Sequence, residues 1–209
     1  VEALGLDATK AHVYAIENAE NVVEDVCYKK ENVILFCGRF ENWSKRIDRL
    51  LRIWARVEPL LVDWKLVLVG DGRDGKMLRG LAEDLKLQRV SFEGMQKDVS
   101  EYYRKASVVC LTSETEGWPL ALTEGQAQGC IGVAFGATSG IKEILDGGCG
   151  FTVTAFDEAE FAQTLIKLAS LDEDRIMEMR MNGVRKRAEY APEAIADKWK
   201  KLFDMLVMQ

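Results

Sequence analysis

Five short apolar runs, separated by longer helical patterns, limit what this chain can fold into more than any other feature. They are VILFC (33–37), KLVLV (65–69), VSF (90–92), SVVCL (107–111) and IGVAF (131–135), with FTV (151–153) a weaker sixth. They are rich in β-branched residues and nearly continuous in apolarity, as a parallel strand covered on both faces requires. Between them Ile47, Leu50, Leu51, Trp54, Val57 and Leu61 recur at helical spacing, as do Met77, Leu78, Leu81, Ala82 and Leu85. Strand–helix–strand repetition at this interval predicts right-handed βαβ units. The expected fold is therefore α/β, a Rossmann-like doubly wound parallel sheet of about six strands. From about Glu158 the pattern is helical only, and it ends in APEAIADKWKKLFDMLV, where Pro192 suits the first turn of a helix. The expected organisation is a sheet domain over residues 31–190 with a C-terminal helix over 191–209. Residues 1–30 complete no unit and read as a linker leading into the domain.

Composition excludes several functions. The chain has 209 residues, 48% apolar and 30% charged, ordinary values for a folded globular protein and not for a disordered one. A net charge of −6 offers no global attraction to nucleic acid or to a membrane surface. Any anion must be held by local groups. Five cysteines (27, 37, 110, 130 and 149) form no C-x-x-C pair; Cys37, Cys110 and Cys130 sit in or beside apolar runs and read as buried thiols of a reducing compartment. With His12 the single histidine, a histidine-based metal site or a Cys/His nucleophile pair is disfavoured. No apolar run approaches the roughly 18 residues of a membrane span, and the expected location is cytoplasmic.

In such folds ligands bind outside the carboxyl ends of the strands. After the first strand comes GRFENWSKR, where Arg39 follows Gly38 at once and Lys45 falls where the next helix should begin. Cations there, with free helix N–H groups, would clamp a phosphate; a solvated basic turn is the alternative. The second strand ends in VGDGRDG, a literal G-x-G-x-x-G at Gly70, Gly72 and Gly75 with an acid, Glu93, some way on. That outlines a dinucleotide-binding fingerprint, but it follows the second strand, whereas the fingerprint opens the first unit. After the third strand, Gly94 would let backbone approach a flat ligand and Met95 could cover it; an ordinary turn into a short helix capped by Asp98 or Ser100 explains the stretch equally well. After the fourth come Ser113, Glu116, Gly117, Trp118 and Pro119, with Pro119 suited to the first helical position. The helix runs to about Gly129 and puts Glu124 about two turns along from Gly117 on one side. A carboxylate, helix-start N–H groups and a second carboxylate would then line one ligand. Spacing alone does not carry this reading, because Glu93 and Glu101 are equally far apart. The DED of 172–174 lies in a helical stretch and reads as a solvated helix start.

Together these stretches resemble the C-terminal, donor-binding domain of family-4 retaining glycosyltransferases of the GT-B type, the "group 1" transferases. GRFENWSKR is similar to the family's Gly-Arg…Lys element, LVLVGDG to its second strand and turn, and SGIKEIL to the step after its fifth strand. VSFEGMQKDVSEYYRKASVVCLTSETEGWPLALTEGQAQG is similar to its long central signature. The likeness runs from about Val13 to the C-terminus. It departs in Glu124-Gly125, where the family has Glu-Ala, and in Gly129-Cys130-Ile131, where Gly-Pro is usual.

The resemblance implies one half of a GT-B fold and transfer of a sugar, with retention, from a nucleotide-diphospho-sugar (UDP, GDP or ADP type) to an acceptor hydroxyl. Arg39 and Lys45 would neutralise the diphosphate, Glu116 would hold sugar hydroxyls, and Glu124 would bind the ribose. N–H groups around Trp118 to Leu120 would complete the phosphate site, Ser113 would lie beside it, and Gly94–Met95 would edge the base. No metal or other cofactor is demanded, since Arg39 and Lys45 do a divalent cation's work. The segment VYAIENAENV (13–22) resembles the exit from an acceptor domain absent from this chain. The acceptor would be a glycan or glycolipid of envelope polysaccharide assembly, bound through that domain, with peripheral membrane association of the full protein. The fragment alone would be inactive. Readings from other classes are a nucleotide-sugar epimerase, a non-catalytic nucleotide-binding module and an NAD-dependent oxidoreductase.

Overall fold

The computed structural model of the chain describes residues 25–207 together with Tyr14, Ile16, Asn18, Ala19 and Val23. Most of the expected linker over 1–30, including His12 and most of VYAIENAENV, therefore lies outside the described residues, as do residues 208–209. Among the described residues the strands are β1 (Glu31–Cys37), β2 (Lys65–Val69), β3 (Val90–Gly94), β4 (Ala106–Leu111), β5 (Ile131–Phe135) and β6 (Gly150–Val153). The helices are α1 (Asn42–Lys45), α2 (Ile47–Val57), α3 (Gly75–Asp84), α4 (Ser100–Lys105), α5 (Leu120–Ala127), α6 (Ser139–Leu145), α7 (Glu158–Ala169), α8 (Glu173–Ala188) and α9 (Pro192–Val207).

All six expected strands form, and every pairing is parallel, in the order β3-β2-β1-β4-β5-β6. Leu35 of β1 is flanked by Val67 of β2 and Val109 of β4. The continuous apolarity of these strands follows from cover on both sides: α2 packs with α3 and α7 on one face, α5 with α4 and α8 on the other. The core closes around Phe36, Trp54, Phe135 and Phe161. The chain grows outward from β1 to β3, then returns to lay β4 on the other side of β1. The order thus reverses between β1 and β4, and a crevice opens at their carboxyl ends.

Local expectations met small corrections. Helix α2 stops at Val57; Leu61 joins the core from the following turn, where its N–H reaches Val57 O at 3.0 Å. Asp98 accepts from Ser100 N–H at 2.9 Å as the chain enters α4, and Asp172 caps α8 by accepting from Arg175 N–H at 2.7 Å. Pro192 opens α9 as expected. Of the thiols, Cys110, Cys130 and Cys149 are buried, but Cys37, the last residue of β1, is only half-buried because it faces the crevice. Burial pushes the Cys130 thiol up to about 11. Among the described residues no helix is long and apolar enough to cross a membrane.

Candidate functional site

The loop leaving β1 is built on Phe40. Gly38 N–H extends the ladder to Val69 O (3.0 Å), and Phe40 N–H reaches Asp71 O (2.9 Å). The buried Phe40 ring meets Phe36 and Phe92. Arg39 and Glu41, on either side of it, point to the crevice and pair at 3.2 Å, with Arg39 71% exposed. Lys45 does not begin a helix as expected; it is the last residue of the four-residue α1. The chain then kinks at Arg46, whose φ of 47° lies in the left-handed region. Tertiary bonds hold this costly conformation. The buried Thr112 hydroxyl donates to Arg46 O at 2.9 Å, and Arg46 pairs with Asp48 and Glu114, both at 3.0 Å. Arg49 joins Glu114 at 2.8 Å, and Arg52 also bonds Asp48. Burial works against ionisation of Asp48, but bonds and charge from Arg46 and Arg52 outweigh it and hold the carboxyl below its usual range.

The two glutamates after β4 take different work. Glu114 turns back to Arg46 and Arg49 and fixes the kink. Glu116, its side chain 10% exposed, enters the crevice, where Oε1 accepts from Lys45 Nζ and from Ser113 Oγ, each at 2.7 Å. The Gly117–Trp118 turn is braced by α6, because a Cβ on Gly140 would come within 2.3 Å of Gly117 O. Pro119 is the N-cap residue (φ −75°, ψ 99°), one position earlier than expected, and α5 ends at Ala127. No side-chain bond caps α5 and no acidic residue lies in its first turn, which leaves that positive end to the crevice. Farther along α5, Glu124 Oε2 accepts from the hydroxyl of the buried Tyr103 at 2.9 Å. The departure at Gly125 has a packing cause: a Cβ there would meet Val109 at 2.6 Å, so glycine lets α5 sit close on β4.

These groups converge. Arg39, Lys45, Glu116, Trp118, Pro119, Leu120 and Glu124 line one cleft of about 580 Å³ at the β1/β4 reversal. Ser113 stands behind it, bonded to Glu116, and Gly117 forms the turn beside it. Met95, 71% exposed, lies instead on an adjoining cavity of about 260 Å³ that shares Cys37, Gly38 and Arg39 with the main cleft. Gly94 (φ 70°) makes the turn that carries Met95, and its carbonyl accepts from Gly70 N–H at 2.8 Å. Size alone does not select this cleft. A cavity of about 640 Å³ near the amino ends of β1 and β4 is lined by Lys30 and Arg180. Their cations are committed to protein oxygens: Lys30 to Tyr103, Arg104 and Gln128 carbonyls, Arg180 to Tyr28 O and Ser107 Oγ.

Tyr103 is the site residue that sequence reasoning missed. It reads as an ordinary member of a short amphipathic helix, and only its partner 21 positions away gives it a role. Gly70 of VGDGRDG lines the smaller cavity, but its lack of a side chain, like that of Gly72, answers to neighbouring backbone. A Cβ at Gly70 would lie 1.9 Å from Gly38 O, and one at Gly72 2.6 Å from Phe40 O, so both are occupied in seating the β1 loop. Chemically, the cleft offers two supported carboxylates with two cations and an uncapped helix start between and beside them. That suits an extended ligand with hydroxyls toward its ends and negative charge in its middle.

Comparison with known proteins bears on the family and the fold. The chain is 30% identical over 189 residues, 90% of its length and 52% of the relative's, to the amylovoran biosynthesis glycosyltransferase AmsD of Erwinia amylovora. It is 28% identical over 185 residues (88% and 51%) to a Campylobacter jejuni alpha-1,4-N-acetyl-D-galactosaminyltransferase named for a diNAcBac-PP-undecaprenol glycan. In structure it is similar to S. aureus TarM in complex with fondaparinux, alpha-GlcNAc-glycerol and UDP, with a TM-score of 0.82, 22% identity and coverage of 96% of this chain and 41% of that one. The chain thus spans about half the length of the curated relatives it matches. The fold is one Rossmann-like half of a GT-B architecture. The profile of the glycosyl transferases group 1 matches residues 31–170, well over half of the chain, and the protein belongs to that family.

Proposed function

We propose that this chain is the donor-binding half of a retaining glycosyltransferase that moves a sugar from a nucleotide-diphospho-sugar to an acceptor hydroxyl. The observation that carries the reading is the convergence of Lys45, Glu116 and Ser113 with the start of α5 in one cleft at the strand-order reversal. In this reading Lys45, Arg39 and the backbone N–H groups of Trp118 and Leu120, on either side of Pro119, take the diphosphate. Their task is electrostatic: they stabilise the charge that grows on the leaving diphosphate as the sugar bond breaks. Glu116, held by Lys45 and Ser113, accepts from sugar hydroxyls, and Glu124 from the ribose. The Gly94–Met95 turn edges the base over the smaller cavity.

Residues 31–190 form the donor domain, 191–209 a closing helix, and 1–30 a linker from an acceptor half. That half would supply the acceptor site and exclude water by closing over the cleft, so this chain binds donor without transferring sugar. The names of the two relatives favour a glycan or glycolipid acceptor, and cytoplasmic location with peripheral membrane association completes the reading.

Calorimetric titration with UDP, GDP, ADP and NAD tests the reading. One nucleoside diphosphate should bind in preference to NAD, and Lys45→Ala should weaken it by about 1.5–3 kcal/mol while leaving the bare nucleoside nearly unaffected. Equal weakening of both ligands removes Lys45 from the diphosphate site. Robust acceptor-dependent nucleotide release by this chain alone would refute the division into halves.

A further inference from the structure

Tyr103 is held at both ends. Its carbonyl accepts from Lys30 Nζ at 3.0 Å and from the Cys130 thiol at 3.1 Å. Lys30 also bonds Arg104 O and Gln128 O, so one ammonium ties the last turn of α4 to the end of α5. The helix that carries Tyr103 is thereby set against the helix that carries Glu124. At the other end the phenol, 2% exposed, donates to Glu124 Oε2 at 2.9 Å, and both residues line the cleft. Burial first, then the neighbouring Cys37 and Glu124, push this phenol far above its usual range, so it remains a donor at any working pH.

We propose that Tyr103 is a positioning residue for nucleotide recognition: by occupying Oε2 it fixes the Glu124 carboxylate and leaves Oε1 to accept from the ribose hydroxyls. The inference rests on the ribose reading of Glu124 given above. A carboxylate on a helix surface samples several rotamers, and a buried phenol bonded to one oxygen selects one of them. The phenol takes up one of the two carboxylate oxygens and leaves the acceptor sites of the other open to hydroxyls.

The test is binding of UDP, GDP and ADP against their 2′-deoxy counterparts by wild type, Glu124→Ala, Tyr103→Phe and Tyr102→Phe, with urea unfolding as a check on the fold. Wild type should prefer the ribonucleotide, and Glu124→Ala should abolish that preference. Tyr103→Phe should reduce it on the order of tenfold, chiefly by weakening the ribonucleotide. Tyr102→Phe, whose hydroxyl meets Glu93 outside the cleft, should change nothing. A folded Tyr103→Phe protein with wild-type preference overturns the inference and leaves the ribose reading standing. Absence of preference in wild type, or its survival in Glu124→Ala, overturns the ribose reading and the inference with it. Should Tyr103→Phe not fold, the hydroxyl proton of wild-type Tyr103 is followed by NMR in the presence of UDP. Slow exchange supports the bond, and exchange at the rate of a free phenol overturns it.

Discussion

Two glycine-bearing turns leave neighbouring strands of the sheet, GRFENWSKR after β1 and VGDGRDG after β2, and they do opposite things. The second has the regular motif and serves the first. Gly70 and Gly72 are packed against the carbonyls of Gly38 and Phe40, and Asp74 accepts from Asn42 N–H at 2.7 Å. The first has no regular motif, yet it carries Arg39 and Lys45 into the cleft. Position explains the difference. Only the β1 turn sits at the reversal of strand order, where no further crossover closes the space above the strand ends. A glycine pattern therefore reports close approach of backbone to something, and here that something is the protein itself.

The largest expected effect breaks this comparison directly. Gly70→Ala puts a Cβ 1.9 Å from Gly38 O at a φ of 136°. It should destabilise the fold by roughly 3 kcal/mol or more through clash and strain together. Gly94→Ala, at φ 70° with nothing within 4 Å of a Cβ, should cost only about 1 kcal/mol. Urea midpoints of the two variants measure the contrast, and equal midpoints would refute the buttressing role of the β2 turn.

Next in size, Lys45→Ala should lower nucleoside diphosphate affinity about ten- to a hundredfold by calorimetry. Alanine at Arg73, a basic residue of the β2 turn that is 67% exposed at its side chain, should leave that affinity unchanged. A smaller effect concerns the kink that presents Lys45. Asp48 is depressed in the folded state, so its contribution is present above its ordinary pKa and is lost as pH falls through the folded value. Asp48→Asn should therefore unfold more readily at neutral pH, and its deficit relative to wild type should shrink on acidification. A deficit that grows in acid would contradict the pairing with Arg46 and Arg52. Smallest of all, Arg39→Ala should shift stability by less than about 0.5 kcal/mol, because its partner Glu41 forms only an exposed pair. It should still weaken diphosphate binding measurably; an Arg39→Ala protein with wild-type affinity would confine the clamp to Lys45.

Much of this was legible in the chain itself. The six strands and the late helices follow from hydrophobic period and from β-branched residues, signals each contained within about ten positions. The cluster at Glu116 to Glu124 was legible because a Gly-Trp-Pro turn between a strand and a helix places its neighbours at a strand end. The errors at element ends ran from one to four positions: Lys45 assigned to a helix start, Pro119 set one residue late, Leu61 included in α2. At Lys45 a tertiary bond, from Thr112 to Arg46, decided where a marginal turn ends.

The sequence by itself determined the class of fold, the parallel sheet and the strand ends where chemistry gathers, because periodicity and turn chemistry are local properties of the chain. Only the tertiary structure decided that Lys45 meets Glu116 across 71 positions, that Glu114 and Glu116 part company, and that Tyr103 holds Glu124. Those pairings depend on how β1, β4 and their helices register against one another. That register is set by the summed packing of the whole core, and no single stretch of residues contains it.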